Sequence, residues 1–467
     1  MLFHRKAKAP QSPLQKRKDV DMTVGSIAGH ILRFAFPLLL GNLFQQLYNT
    51  VDTWVVGNYV GNNAFAAVGA VTPIVNMLIG AFSGLASGAG VVISQFYGAG
   101  RHDRVRDTVH TAIILVLILA VLFTGVGLFI TPLMINFSNV NANSIGDATT
   151  YLSIYFSGLI GLMLYNIGAG ILRAVGDSKR PFYFLVICAL LNTGLDLLFV
   201  CVFHMGVEGV ALATIISQCI SAILVFLTLM RTSSCIKVQF KFLRMHWDLL
   251  RKILFVGIPA ALQMALTAFS NVFVQAYINH FDEGLATSVY MSGWTAYLKL
   301  DTLLFLPVQS IALAVTTFVG QNLGKGQVVR AKKGVTTSLL IGLGIMIVLM
   351  IPLMIFAPSI VSLLNSTPEV IESGTMYLRL LSPFYLLCCF NQIYACALRG
   401  AGNSKASMII MLSTFVGFRQ LYLYVMSLVC YEVVPIALGY PAGWLACCIA
   451  TSIYYHRAKL DRTRLVT

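Results

Sequence analysis

Leu172-Arg173-Ala174-Val175-Gly176-Asp177-Ser178-Lys179 returns 226 residues later as Leu398-Arg399-Gly400-Ala401-Gly402-Asn403-Ser404-Lys405. The same offset pairs Gln95, Gly98, Gly100, Arg104 and Arg106 with Gln321, Gly324, Gly326, Arg330 and Lys332. At an offset of 222, Pro37 and Asn49 meet Pro259 and Asn271. Matches held in order over such a distance mark an internal repeat, so the chain is two copies of one unit.

Around each copy the sequence is strongly apolar. The 467 residues are 58% hydrophobic and 10% charged, with a mean hydropathy of +0.81, well outside the range of soluble domains. A bilayer core of about 30 Å takes roughly 20 helical residues per crossing. Apolar runs lie near residues 31–57, 64–97, 108–133, 150–172, 182–203 and 209–230, then 253–279, 285–320, 335–357, 375–397, 406–431 and 441–455. The second and eighth are too long for one straight span, so part of each is expected to tilt or to lie in an interface. The reading is an all-α polytopic membrane protein of twelve transmembrane helices.

The basic residues test that count. With the N-terminus (Arg5, Lys6, Lys8, Lys16, Arg17, Lys18) inside, every second loop should be basic. Each one is, through Arg101/Arg104/Arg106, Arg173/Lys179/Arg180, Arg231 to Lys252, Lys325/Arg330/Lys332/Lys333, Arg399/Lys405 and Arg457/Lys459/Arg462/Arg464. The six opposite loops contain no Lys or Arg. The net charge of +15 thus marks orientation rather than a nucleic-acid partner. The expected organisation is a tail over 1–30, an N-lobe over 31–230, a linker over 231–252, a C-lobe over 253–456 and a tail over 457–467, both tails cytoplasmic. No cleavable signal is visible before the first span. The linker suits either a segment lying on the anionic inner surface or a solvated connection. Six spans separate the copies, so both insert in the same orientation. Two six-helix lobes are expected, related by a pseudo-two-fold axis along the membrane normal, with a central site between them.

Few charges enter the spans. Asp52, Asp196 and Asp301 are the acids well inside, and an intramembrane charge marks a functional site by default. Gln45, Asn49 and Asp52 share one face of span one, while Asn192 and Asp196 share a face of span five. Two carboxylates with amide neighbours in one lobe form a candidate cation site. It suits reversible protonation if poorly solvated, or Na⁺ if its oxygens converge. A buried hydrogen-bonded pair that fixes helix register is the competing reading. Lys299 and Asp301 are two residues apart on span eight and cannot face each other, which leaves Lys299 to meet an acid or carbonyl elsewhere, and both are candidate charge partners. Arg419 of span eleven, a third candidate charge partner, suits a structural pair with carbonyls or an acid, or a role in gating. Asn166 of span four is a candidate cargo contact or an interhelical tie. Pro37 and Pro259 are candidate hinges.

No metal-ligand spacing is present, and the ten cysteines fall mostly within spans. All eight histidines lie in tails, loops or near span ends, which argues against a membrane-embedded enzyme. No Walker motif is seen, so no cofactor is expected and an ion gradient is the expected energy source. A gated channel stays open as an alternative, although no charged ring or filter loop is evident.

The joint order of several motifs resembles the multidrug and toxic compound extrusion (MATE) transporters. These are the 6+6 layout, Pro37 with Val51-Asp52-Thr53, Gly320-Gln321-Asn322-Leu323-Gly324-Lys325-Gly326, and Leu398-Arg399-Gly400-Ala401-Gly402. The resemblance spans nearly the whole chain. It implies a multi-pass protein of a bacterial cytoplasmic (inner) membrane that exports lipophilic cationic drugs or toxins in exchange for H⁺ or Na⁺, the two lobes giving alternating access, and a monomer. A lipid-linked precursor flippase of the same superfamily is the alternative. In the DinF-like branch, acids matching Asp52 and Asp196 and the amide matching Asn192 serve ion coupling. In the second lobe Val274 and Tyr422 stand at the positions of those acids. That departs from NorM-like members and favours the DinF-like or MepA-like side.

Overall fold

The computed structural model describes residues 19–137, 142–282, 288–460 and 464–466. Its long helices are α1 (Ile27–Val60), α2 (Asn63–Gly98), α3 (His102–Asn136), α4 (Ile145–Ser157 with Leu159–Ala174), α5 (Lys179–Val202) and α6 (Val207–Arg231). The second set is α7 (Trp247–His280), α8 (Val289–Gly324), α9 (Val328–Ile355), α10 (Pro368–Gly400), α11 (Ser404–Val429) and α12 (Val433–Arg457). Eleven are long and apolar enough to cross a membrane as they stand, and α4, bent by 48° between its two parts, makes the twelfth. That bend falls at Gly158, where a Cβ would lie 2.3 Å from the Ile215 side chain of α6. The long second and eighth runs of sequence are single continuous helices.

The repeat is visible in the backbone. Gly100 (φ 71°) and Gly326 (φ 87°) end α2 and α8 alike, and Gly176 (φ 85°) and Gly402 (φ 90°) end α4 and α10. These left-handed turns suit glycine and carry the 226-residue offset. The basic loops all gather at one end of the bundle, here called the basic face.

The lobes meet through α1 with α8 and through α2 with α7 and α8. Two contacts are backbone-close: a Cβ on Gly84 would lie 2.4 Å from Ala261 N, and one on Gly88 2.5 Å from Gly257 Cα. Small residues at a helix crossing allow this approach, which stands in for the missing hydrophobic drive between helices in lipid. At the basic face each lobe reaches into the other. Met22, Ile31, Phe34, Ala35 and Leu38 belong to the apolar core of the C-lobe, whereas Leu249, Leu250, Ile253 and Val466 belong to that of the N-lobe. The linker likewise packs on the N-lobe, with Ile236 and Val238 buried and the Gln239 N–H and carbonyl both facing the His110 ring. Its Phe240 and Trp247 are exposed, so one side faces the core and the other points away.

Candidate functional site

Within the N-lobe, α1 and α5 bring Asp52 and Asp196 face to face, their carboxyl groups within interaction range of each other. Asp196 and Asn192 are buried to 0% and 1% exposure. The tyrosines Tyr48 and Tyr151 lie near this pair. Asn192 donates through Nδ2 to Thr214 Oγ1 at 3.5 Å. Four acceptor atoms are left without donors: Asp52 Oδ1, both carboxyl oxygens of Asp196 and Asn192 Oδ1. Orphaned buried acceptors are costly, and those of a single cluster fit a proton or an oxygen-ligated cation held among them. The ion pairs among the described residues, Arg104–Asp248, Arg106 with Asp103 and Asp107, and Arg180 with Asp19 and Asp177, lie near the basic face. None of them involves Asp52, Asp196 or Asp301.

The backbone is irregular where these charges sit. A π-helical turn over Val56–Val60 follows Asp52 by one turn, and another, Leu197–Val202, begins directly after Asp196. A third, Ser413–Phe418, ends directly before Arg419. Such turns interrupt the regular ladder and recur at functional positions.

Away from the basic face, α1 and α8 expose the sides that meet at Asn42 and Ser310, which marks a cleft between the lobes. Asn42 of α1 bonds Ser310 of α8 at 3.5 Å. Asn49 and Thr53 lie two and three turns beyond Asn42 on the same face of α1, and both are exposed. On α8, Leu303 and Lys299 lie two and three turns beyond Ser310, and they too are exposed. The lobes therefore diverge outward of the Asn42–Ser310 bond, with Asn49 and Thr53 on the α1 wall and Leu303 and Lys299 on the α8 wall. Gln45 is half-buried beside this face.

The remaining sequence candidates are distributed as follows. Asn166 accepts from Ser83 of α2 at 3.3 Å and donates to the Leu162 carbonyl, tying α2 to α4. Pro37 and Pro259 sit inside helices that run on through them. The proposed charge partners form no ion pair among the described residues. Arg419, 1% exposed, donates to Ser270 Oγ at 2.6 Å and Asn271 Oδ1 at 3.0 Å, and stands 4.9 Å from the Tyr440 ring. Neutral acceptors and an aromatic face thus hold this guanidinium. Asp301, on the opposite side of α8 from Lys299, turns into the C-lobe toward Tyr297 Oη at 3.5 Å, which itself accepts from Tyr385.

Two glutamines that the repeat pairs, but to which sequence reading gave no role, close the basic face. Gln95 Nε2 donates to the Gly400 carbonyl of the other lobe at 2.9 Å, and Gln321 Nε2 donates to the Ala174 carbonyl at 2.9 Å. Their Oε1 atoms accept from Leu465 N and Met22 N respectively. The signal was present in the 226-residue register; which group each amide would reach was not. The tyrosines beside the acids were missed as well, since a tyrosine in a span ordinarily belongs to the core or the lipid interface.

Comparison with known proteins gives a consistent picture. The MatE family profile matches residues 37–198 and 259–425. The chain is 28% identical over 96% of its length, and 99% of the relative's, to the probable multidrug resistance protein YpnP of Bacillus subtilis (strain 168). It is 26% identical to the FAD transporter of Shewanella oneidensis, covering 83% of this chain and 85% of that one. A solved outward-facing conformation of a multidrug resistance MATE family transporter of the MOP superfamily superposes with a TM-score of 0.87, at 22% identity, over 97% of this chain and 100% of that one.

Proposed function

The chain belongs to the MatE family, is a membrane transporter rather than an enzyme, and on that premise we propose that it is a secondary multidrug antiporter of a bacterial cytoplasmic membrane. It exports lipophilic organic cations in exchange for H⁺ or Na⁺. The observation that carries the reading is the Asp52–Asp196 pair, Asp196 buried with Asn192 and Asp52 half-buried beside them, without a cationic partner among the described residues. Two carboxylates held together in low dielectric repel each other, so the site favours taking up a proton or a cation. Uptake from outside removes the negative charge that would hold a cationic cargo, and release inside restores it. Rocking of the lobes about their crossings would expose the site to each side in turn. One inward charge moved through the membrane potential is worth about 2.3 kcal/mol per 100 mV, enough to sustain a substantial cargo gradient.

The YpnP relative supports a multidrug role. The FAD transporter makes cargo charge a property to be tested here. The test is extrusion of a fluorescent lipophilic cation from proteoliposomes of defined orientation, under a proton gradient and a Na⁺ gradient separately. Extrusion under either identifies the coupling ion. Well-folded protein that moves the dye under neither gradient overturns the reading.

A further inference from the structure

Lys299 is exposed on α8 and forms no ion pair among the described residues. It lies ten residues, about 15 Å of helix, from the start of α8 at Val289. An ammonium placed in a spanning helix costs several kcal/mol in lipid and settles in a water-filled space or against an anion. Lys299 shares the face of Ser310, whose hydroxyl meets Asn42 of the opposite lobe, and so borders the cleft. A pocket of about 250 Å³ lies beside it, with Ser292, Thr295, Lys299 and Asn365 as its polar lining. Asp301, the nearest acid along the helix, points to the other side and is engaged by Tyr297. Lys299 is therefore a cation with hydroxyl and amide neighbours and no ion-pair partner among the described residues.

We propose that Lys299, with Ser292, Thr295 and Asn365, forms a subsite for an oxyanion, a carboxylate or a phosphate, carried by the cargo. The inference rests on the transport reading above and deepens it. A cargo bearing both signs can set its cationic end toward the acids of the N-lobe and its anionic end on Lys299 of the C-lobe, bridging the cleft. A purely cationic cargo gains nothing from Lys299 and is repelled by it. The Ser292 hydroxyl and the Asn365 amide beside the ammonium add the directed hydrogen bonds that an oxyanion accepts, while Thr295, whose hydroxyl donates to the Met291 carbonyl at 2.8 Å, adds a polar wall.

The test uses two rhodamines of one scaffold, an ester that is permanently cationic and the free carboxylate that is zwitterionic. Their binding to the purified full-length protein is read by fluorescence polarisation, without any gradient. Lys299→Ala should weaken the carboxylate dye on the order of tenfold, as for loss of a charged hydrogen bond, while the ester dye binds as well or more tightly. Lys299→Arg should keep the discrimination, and Lys299→Met provides a second apolar variant should the alanine protein not fold. Equal effects on both dyes, or no effect on either, overturn the proposal. Added phosphatidylglycerol separates the two sources of oxyanion. If it displaces both dyes alike, and only from the lysine-containing protein, Lys299 holds a lipid phosphate and the cargo subsite is refuted. Because binding is measured without a gradient, failure of coupled transport is distinguishable from failure of this subsite.

Discussion

An asparagine at 196 keeps the shape of the buried carboxyl but removes its capacity to accept charge. Asp196→Asn should therefore insert normally, bind a cationic dye weakly, and lose gradient-driven extrusion by at least about tenfold, the size of effect given by one buried charged interaction. Proteoliposome transport against a thermal-unfolding control measures it, and undiminished coupled transport would remove Asp196 from the ion site. Arg419 has a different task. Its guanidinium joins α11 to Ser270 and Asn271 of α7, so Arg419→Met should destabilise the C-lobe by about 2–3 kcal/mol, the order of a pair of hydrogen bonds to a charged group. A lowered unfolding midpoint in detergent, with residual transport in the folded fraction, is the expected result. The acids were legible as candidates because a bilayer leaves so few charges unexplained. Their partners were not: a four-residue spacing fixes a face of one helix and says nothing of what another helix brings to it. That is why Tyr48 and Tyr151 escaped notice, and why the partners of Arg419, a hydroxyl, an amide and a ring, could not be named from the sequence.

Helix crossings set a second group of expectations. At Gly88 a side chain would have to displace the backbone of Gly257, so relaxation by a rotamer change is excluded. Gly88→Ala should cost about 1–3 kcal/mol, as overpacking does, or else force α2 and α7 apart. A lower unfolding midpoint, or a longer distance between spin labels placed on the two helices, would reveal it; an unchanged protein would show that the crossing is looser than described. Helix number and order were legible because apolar length and the alternation of basic loops are both strong signals. The bend in α4 and the three π-helical turns were not, since each depends on neighbouring helices, as the contact of Gly158 with Ile215 illustrates.

Across the whole molecule, closure of the basic face rests on the reciprocal glutamines. Gly98 and Gly324 allow the two helix ends to touch there, where a Cβ would lie 1.9 Å from the Gln321 carbonyl or 2.0 Å from that of Gln95. Gln95→Ala and Gln321→Ala should each shift the population toward a state open at the basic face, by similar amounts because the repeat makes them equivalent, with the double variant shifting furthest. Labelling of a cysteine introduced beneath the seal would read that population, and equal labelling in all variants would deny the glutamines this role. The repeat announced the equivalence; only the assembled lobes show that each glutamine serves the opposite half. That exchange has a further consequence, for how the protein is made. The start of α1 finds its packing partners in the C-lobe, so it must wait in the membrane until helices near the middle and end of the chain have been synthesised. The first half on its own is an unfinished object, while two halves produced together from separate genes should recognise one another and assemble.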